Sequence, residues 1–373
     1  MKYLKLILTI VLIIPLTGCY NYRELNDLGI TTAIGISKEN NEYKLIIEVL
    51  KTDKSSSEEA KTPKFVLYES NGKTIQEAVR NAILESPKRL YANHLYMLLI
   101  DEKLARDDIS DIMDLFFRDP ESRKQFYVLV TKEDIKEVLS TRPLLEDINA
   151  KCVIDRLEVN DKFLSNTTPI TFSKLLTKYV NPHIEMVMPS LILEDSITSN
   201  EDDPKKKIVI SNTAIFKNNK LVGYIDNLDT LYYNLIINDV DDTVITSLYN
   251  DKYITIEINN SNTKIDVKNK VFNIKIKLSG NIAEINNNKD LENDKTIYDL
   301  ERLFENDLNK KISSMINNVI DKYDSDIFGF TDLIYKKDYK NYSDNLKLKD
   351  LKFNINTTVT LKYKGNGAKG INE

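Results

Sequence analysis

Leu16, Thr17, Gly18 and Cys19 close the first apolar run of the chain, and the cysteine is the residue whose setting most clearly implies chemistry. Lys2 and Lys5 give a positive start. Leu6 to Leu16 follow as an apolar stretch broken only by Pro15, and Gly18 places a small residue ahead of the thiol. That is a secretory leader with a cleavage site, of the form in which bacteria acylate the cysteine and cut just before it. Each buried CH₂ contributes about 0.8 kcal/mol, and two or more acyl chains hold stably where one does not. The pattern predicts a mature chain that starts at Cys19 and is tied to the outer face of a membrane. Plain secretion and an N-terminal transmembrane helix are the competing readings. The run is short for the second, since a spanning helix needs about 20 apolar residues.

Other reactive constellations are hard to find. The two histidines, His94 and His183, lie far apart in sequence. His94 opens an apolar segment and reads as structural, and His183 follows Pro182 in a polar loop. No zinc-protease, Walker, dinucleotide or nucleophile-elbow motif occurs. Gly365, Gly367 and Gly370 form a tail and do not join a strand to a helix, so phosphate binding there is not expected. No pair of carboxylates stands out as an acid/base couple. The expectation is a protein without catalytic activity, metal or cofactor.

Two further segments have a distinctive composition. In Phe117-Arg118-Asp119-Pro120-Glu121-Ser122-Arg123, Asp119-Pro120 fixes a turn after a helix, flanked by the planar donors Arg118 and Arg123. It reads as a helix end tied by internal ion pairs, with a polar docking surface as the alternative. In Asp324-Ser325-Asp326-Ile327-Phe328-Gly329-Phe330, aromatics surround a glycine at a helix stop. Core packing is the expected role of Phe328 and Phe330, with a partner surface as the alternative.

The elements that must position these residues follow from periodicity. Leu28–Ser37 and Tyr43–Leu50 read as a hairpin turning at Asn40-Asn41, and Lys64–Ser70 as a third strand. Thr74-Ile75-Gln76-Glu77 is a capping box, and a helix follows to just before Pro87. His94–Ile100 and Gln125–Val130 are apolar strands, Asp107–Phe117 an amphipathic helix, and Thr131–Leu139 a helix capped by Thr131. Phe172–Tyr179 reads as helix and Met186–Leu193 as extended. Glu194–Lys207 is polar and is taken as a linker. Strands return at Ile208–Phe216 and Leu221–Ile225, a helix at Leu228–Ile237, and antiparallel strands at Tyr253–Ile258, Lys264–Val267 and Val271–Ile285. A helix from about Lys295 to Tyr323 has an apolar stripe at four-residue steps, and Leu351–Tyr363 is a last strand.

These elements imply an α+β, multi-domain chain. Its sheets are mainly antiparallel or mixed, flanked by helices, with a long helix in the C-terminal domain. The expected division is a leader at 1–18, an N-terminal α+β domain at 19–140, a smaller middle domain and linker at 141–205, a C-terminal α+β domain at 206–365 and a tail at 366–373. The 373 residues carry a net charge of −5 with acids and bases interspersed, so no nucleic-acid partner is implied. Cys152 is the only cysteine besides Cys19, so an acylated Cys19 leaves no intramolecular disulfide.

In order along the chain stand the lipobox cysteine; Tyr22-Arg23-Glu24-Leu25-Asn26-Asp27-Leu28-Gly29-Ile30 and Ala33-Ile34-Gly35-Ile36; Phe117 to Glu121; Thr213 to Phe216 with Lys220-Leu221-Val222-Gly223; and Ser325 to Phe330. Together they resemble the Ger(x)C family of spore germination lipoproteins, the C subunit of nutrient germinant receptors. The resemblance implies an endospore-forming bacterium, an anchor on the outer face of the spore inner membrane, two integral-membrane partners (the A and B subunits), and three α+β domains. It marks Arg23, Glu24, Gly29, Gly35, Arg118, Asp119, Pro120, Glu121, Arg123, Gly223, Asp326, Phe328, Gly329 and Phe330 as partner or structural positions. Tyr20 stands where the family usually has Trp, the chain has no Trp at all, and Thr331 replaces the last glycine of a Phe-Gly-Phe-Gly run. The alternative from a different class is an extracytoplasmic solute-binding or cortex-acting hydrolytic lipoprotein. It requires parallel two-lobed βαβ architecture or a carboxylate pair in a cleft.

Overall fold

The computed structural model describes residues 3, 28–51, 64–119, 122–143, 146–197, 203–249, 251–285, 294–343 and 345–362. The leader 1–18 apart from residue 3, Cys19, Arg23, Glu24, Pro120, Glu121 and the tail 366–373 lie outside these residues. The fold is α+β and is built on two sheets.

The first sheet has the order β3-β2-β1-β5-β6-β7-β8-β9, with β4 beside the start of β1. β1 (Leu28–Glu39) and β2 (Glu42–Leu50) form the expected hairpin. Asn40 and Asn41 both take positive φ at its turn, a conformation asparagine tolerates better than most residues. β3 (Phe65–Gly72) extends that side. β4 is Arg89–Tyr91, and β5 (Met97–Asp101), β6 (Tyr127–Thr131) and β7 (Val187–Asp195) continue the sheet in parallel from β1. β8 (Lys206–Lys217) and β9 (Lys220–Ile225) close it as an antiparallel hairpin.

Helices cover both faces. On one side lie α1 (Ile75–Asn81), α2 (Glu102–Asp107), α3 (Ser110–Arg118) and, later in the chain, α6 (Phe172–Tyr179). Ile109, Ile112, Met113 and Phe116 are all buried, as their helical spacing requires. Phe116, Phe126 and Phe172 meet with centroids 5.1–5.8 Å apart. On the other side lie α4 (Ile135–Ser140) and α5 (Asn149–Phe163).

The second sheet runs β10 (Thr243–Tyr249), β11 (Lys252–Lys268), β12 (Val271–Ile285), β13 (Lys352–Lys362). α7 (Asn227–Ile237), the 30-residue α8 (Asp294–Tyr323) and α9 (Phe330–Lys337) pack against it. Leu300, Phe304, Leu308, Ile312, Ile316 and Val319 of α8 are fully buried, which accounts for the four-residue stripe. Among the described residues no helix is long and apolar enough to cross a membrane.

Several expectations are corrected. His94 lies in a 3₁₀ turn before β5, not on the strand, because the chain first makes the short β4. The helix expected over Asp107–Phe117 is α3, which starts only at Ser110; Asp107 instead ends α2, an unanticipated helix capped by Asp101, and the extended Asp108 separates the two. α4 is capped by Asp134, which accepts from Glu137 N at 2.8 Å, while Thr131 instead donates to the Leu191 carbonyl. α5 and β10 had no clear signal. The sequence of α5 is a weakly amphipathic helix whose buried face includes a polar residue, Asn149. Lys264–Val267 is no separate strand but the far end of β11, and β13 joins β12 in parallel.

The two ends of the polar stretch Glu194–Lys207, expected as a linker, lie side by side in one sheet. Glu194 pairs with Lys207 and Asp195 with Lys206, so the stretch holds the ends of two antiparallel strands of one sheet. The expected boundary at 205/206 therefore falls inside the first sheet, which β8 and β9 complete. Residues 141–205 supply β7 to the same sheet, with α5 and α6 on its faces.

Candidate functional site

Most of the described family-like residues lie in two places. The first is a groove on the face of the first sheet. Among the described residues it is lined by Ile34 of β1, Ile75, Val79, Leu90 and Phe116 of α3, with Arg80, Arg89, Arg118 and Asp119 as the charged ones, in a cavity of about 420 Å³. Local chemistry fixes α1 and α3 beside it. Thr74 caps α1 by accepting from Glu77 N at 3.1 Å, and Glu77 reaches back to Lys73 N at 2.7 Å, one residue earlier than a standard capping box. Asp108 accepts from Ser110 N at 2.6 Å where α3 begins. At the other end of α3, Arg118 Nε donates to both oxygens of Asp114 at 2.8 and 2.9 Å, the internal i,i+4 pair expected of a tied helix end. Arg118 itself still lines the groove. Arg123 is exposed and does not line it. Asp119 is the only carboxylate among the described lining residues, so they lack the pair that glycoside hydrolysis uses.

Two glycines stand beneath this region for steric reasons. A Cβ at Gly35 would lie 2.1 Å from Ile135 Cγ2, so the glycine lets α4 approach β1 closely. A Cβ at Gly29 would meet Val49 at 3.2 Å and Leu90 at 3.4 Å.

The second place is the joint between the two sheets. α8 ends at Tyr323, and Asp324 follows in a left-handed conformation (φ 46°). Lys217 of β8 pairs with Asp324. Ser325 Oγ donates to the Phe216 carbonyl at 2.6 Å, and the Asp326 carbonyl accepts from Glu185 N at 2.9 Å. The Asp326 carboxylate accepts from Phe330 N at 3.0 Å and Thr331 N at 2.6 Å, which caps α9. Burial pushes this carboxyl up, against the pull of the hydrogen bonds from Thr331 and from the backbone N–H of Phe330 and Gly329. Gly329 adopts φ 74°, the left-handed region that suits glycine. Phe328 and Phe330 are buried and stacked 5.0 Å apart, and Phe330 also meets Phe272 and Phe353 at 4.7 Å. The core role expected of these aromatics is what the structure shows. Above them a Cβ at Gly223 would fall 2.0 Å from the Tyr323 ring, and Tyr323 donates to the Tyr224 carbonyl at 2.9 Å.

Sequence reading missed one buried titratable group. Glu48 of β2 is fully buried, and its Oε1 accepts from Thr32 Oγ1 at 2.6 Å and from Ala150 N, at the start of α5, at 3.3 Å. Burial raises its carboxyl to about 7. A lone acid within Leu45-Ile46-Ile47-Glu48-Val49-Leu50 was the available signal. His183 stacks on Tyr335 at 4.6 Å, packed against aromatics rather than simply solvated. Among the described residues no three His, Cys, Asp or Glu side chains cluster as a metal site.

Comparison with known proteins bears on both halves. The family model for the spore germination protein N-terminal domain matches residues 21–193, and that for the spore germination B3/GerAC-like C-terminal region matches residues 211–365. The chain is 25% identical over 335 residues to Bacillus subtilis spore germination protein B3, covering 84% of each. It is 24% identical over 358 residues to Bacillus subtilis spore germination protein KC, covering 90% of this chain and 88% of the relative. The crystal structure of the GerBC protein superposes with a TM-score of 0.52 at 21% identity, covering 88% of this chain and 96% of that one, a likeness of fold.

Proposed function

The chain belongs to the GerAC-like family of spore germination proteins, and from that premise we propose that it serves as the lipid-anchored C subunit of a nutrient germinant receptor. The observation that carries this reading is the succession of the two family models, N-terminal then C-terminal, along nearly the whole chain. In this reading Cys19 carries the acyl chains, the folded part stands at the outer face of the spore inner membrane, and it acts through contact with integral-membrane A and B subunits rather than through bond-making. A tether confines the protein to the plane of its partners, so its effective concentration is high and a modest docking face suffices. The groove bounded by α1, β4 and α3 is the proposed docking face: a lining of apolar side chains with arginines among them suits an amphipathic segment of a partner. The joint at Ser325–Phe330 has the supporting role of fixing the second sheet against the first.

Cys19→Ala tests the reading. The expected result is loss of the protein from the membrane fraction and a weakened nutrient response. Full membrane retention with normal germination would remove the proposal. Co-purification from spore membranes tests the partner half, with integral receptor subunits expected to come with the chain.

A further inference from the structure

Sheet edges present unpaired backbone groups that template pairing with another strand, and proteins ordinarily blunt them. Side chains from elsewhere in the chain blunt three edges here. On β3, Glu85 accepts from Glu69 N at 3.3 Å and Asn81 donates to the Asn71 carbonyl at 2.8 Å. On β9, Arg106 reaches the Leu221 carbonyl at 3.5 Å and Tyr323 the Tyr224 carbonyl at 2.9 Å. On β13, one face of α8 supplies a ladder at four-residue steps: Asn309 accepts from Thr357 N at 2.8 Å, Glu305 from Val359 N at 3.1 Å and Glu301 from Leu361 N at 2.8 Å. Even the part of β11 that overshoots β10 is covered, Asn238 accepting from Thr263 N at 2.6 Å and Lys337 donating to the Ile265 carbonyl at 3.0 Å.

β10 has no such cover. Among the described residues, no side chain bonds to the backbone of Val244 to Leu248. The strand Thr243-Val244-Ile245-Thr246-Ser247-Leu248-Tyr249 has no charge, proline or glycine, the three common devices against edge pairing being charge, proline and a bulge. Its outward face is apolar and wet: Val244 is 44% exposed, Leu248 54%, and Tyr253, paired with Leu248 on β11, 65%.

We propose that the outer edge of β10 pairs antiparallel with β10 of a second copy of this chain, joining two four-stranded sheets into one across a two-fold axis at Thr246. The sequence favours a like strand as the occupant. Centred on Thr246, the register sets Val244 against Leu248 of the second copy and Thr246 against its own equivalent, so each strand complements itself, with no charge to repel its mate. Membrane tethering, if the receptor reading holds, concentrates copies in a plane and favours such a contact. The inference goes beyond that reading: its failure leaves anchoring and partner docking untouched.

The test is sedimentation of the full mature chain carrying Cys19→Ser, so that no acyl group contributes, across a wide concentration range. The parent is expected to dimerise. Thr246→Lys and Thr246→Glu, each placing like charges face to face, are expected to shift the midpoint upward by at least about tenfold, and a mixture of the two to restore dimers. Thr246 is exposed, so both variants are expected to keep the parental melting profile. Independently, Thr246→Cys treated with a short bis-maleimide is expected to yield a covalent dimer, since Cys152 is buried. A parent that stays monomeric throughout, a charged variant with the parental midpoint, a mixture that does not associate, or no cross-linked dimer would each overturn the proposal.

Discussion

Tyr323 lays its ring directly over Gly223, so close that a Cβ on the glycine would stand 2.0 Å from the ring's Cε1. This stacking joins the last residue of α8 to the edge strand β9 and, with the bonds of Asp324, Ser325 and Asp326 beside it, holds the second sheet to the first. Gly223→Ala is expected to destabilise the fold by about 1–3 kcal/mol through overpacking. Tyr323→Phe, which keeps the ring and loses only its hydrogen bond to Tyr224, is expected to cost about 1 kcal/mol. Urea unfolding of both variants, of Tyr323→Ala, and of Gly223→Ala with Tyr323→Ala checks the contact. The double variant is expected to be less destabilised than the sum of its parts.

Glu48 gives the fold a pH dependence of definite sign. Its carboxyl is raised to about 7 in the folded chain from an ordinary value of 4.5. The folded state therefore holds the proton more tightly than the unfolded state does. The contribution is complete below the unfolded value and is lost as pH rises through the folded one, a span of about 3 kcal/mol. Glu48→Gln keeps the shape without the charge. It is expected to match the parent near pH 4 and to exceed it in urea midpoint near pH 9. Identical pH profiles for the two proteins would refute the assignment.

Gly329 separates backbone conformation from space. Its φ of 74° penalises any L-residue, whereas the nearest atom to an added Cβ, Ile184 Cδ1 at 3.1 Å, is the end of a flexible side chain. Gly329→Ala is expected to cost about 1–2 kcal/mol, and Gly329→Asn less, since asparagine tolerates the left-handed region. Thermal melts rank the two. A more damaging asparagine would place the problem in space rather than in backbone angle.

The ladder from α8 to β13 bears on solubility. Removing Glu301, Glu305 and Asn309 together by alanine is expected to bare three N–H groups of an edge strand. The expected outcome is concentration-dependent association, read by light scattering. Stability should fall too, by about 1 kcal/mol for each bond lost.

What the sequence determined by itself was local and periodic. The hairpin at Asn40-Asn41 follows from residues suited to positive φ, the Thr74 cap from a side chain three positions before its donor, and the buried stripe of α8 from four-residue spacing. The family likeness was equally legible, because ordered short motifs survive where overall identity is low. Only the tertiary structure decided which edges stay open, since Glu301, Glu305 and Asn309 find β13 some fifty to sixty residues away. It alone set Glu48 between Thr32 and the start of α5, and it turned a polar stretch that looked like a linker into paired strand ends. These outcomes depend on partners distant in the chain. Spacing along one segment records how that segment folds, whereas burial and hydrogen-bond completion depend on what the rest of the molecule brings to it.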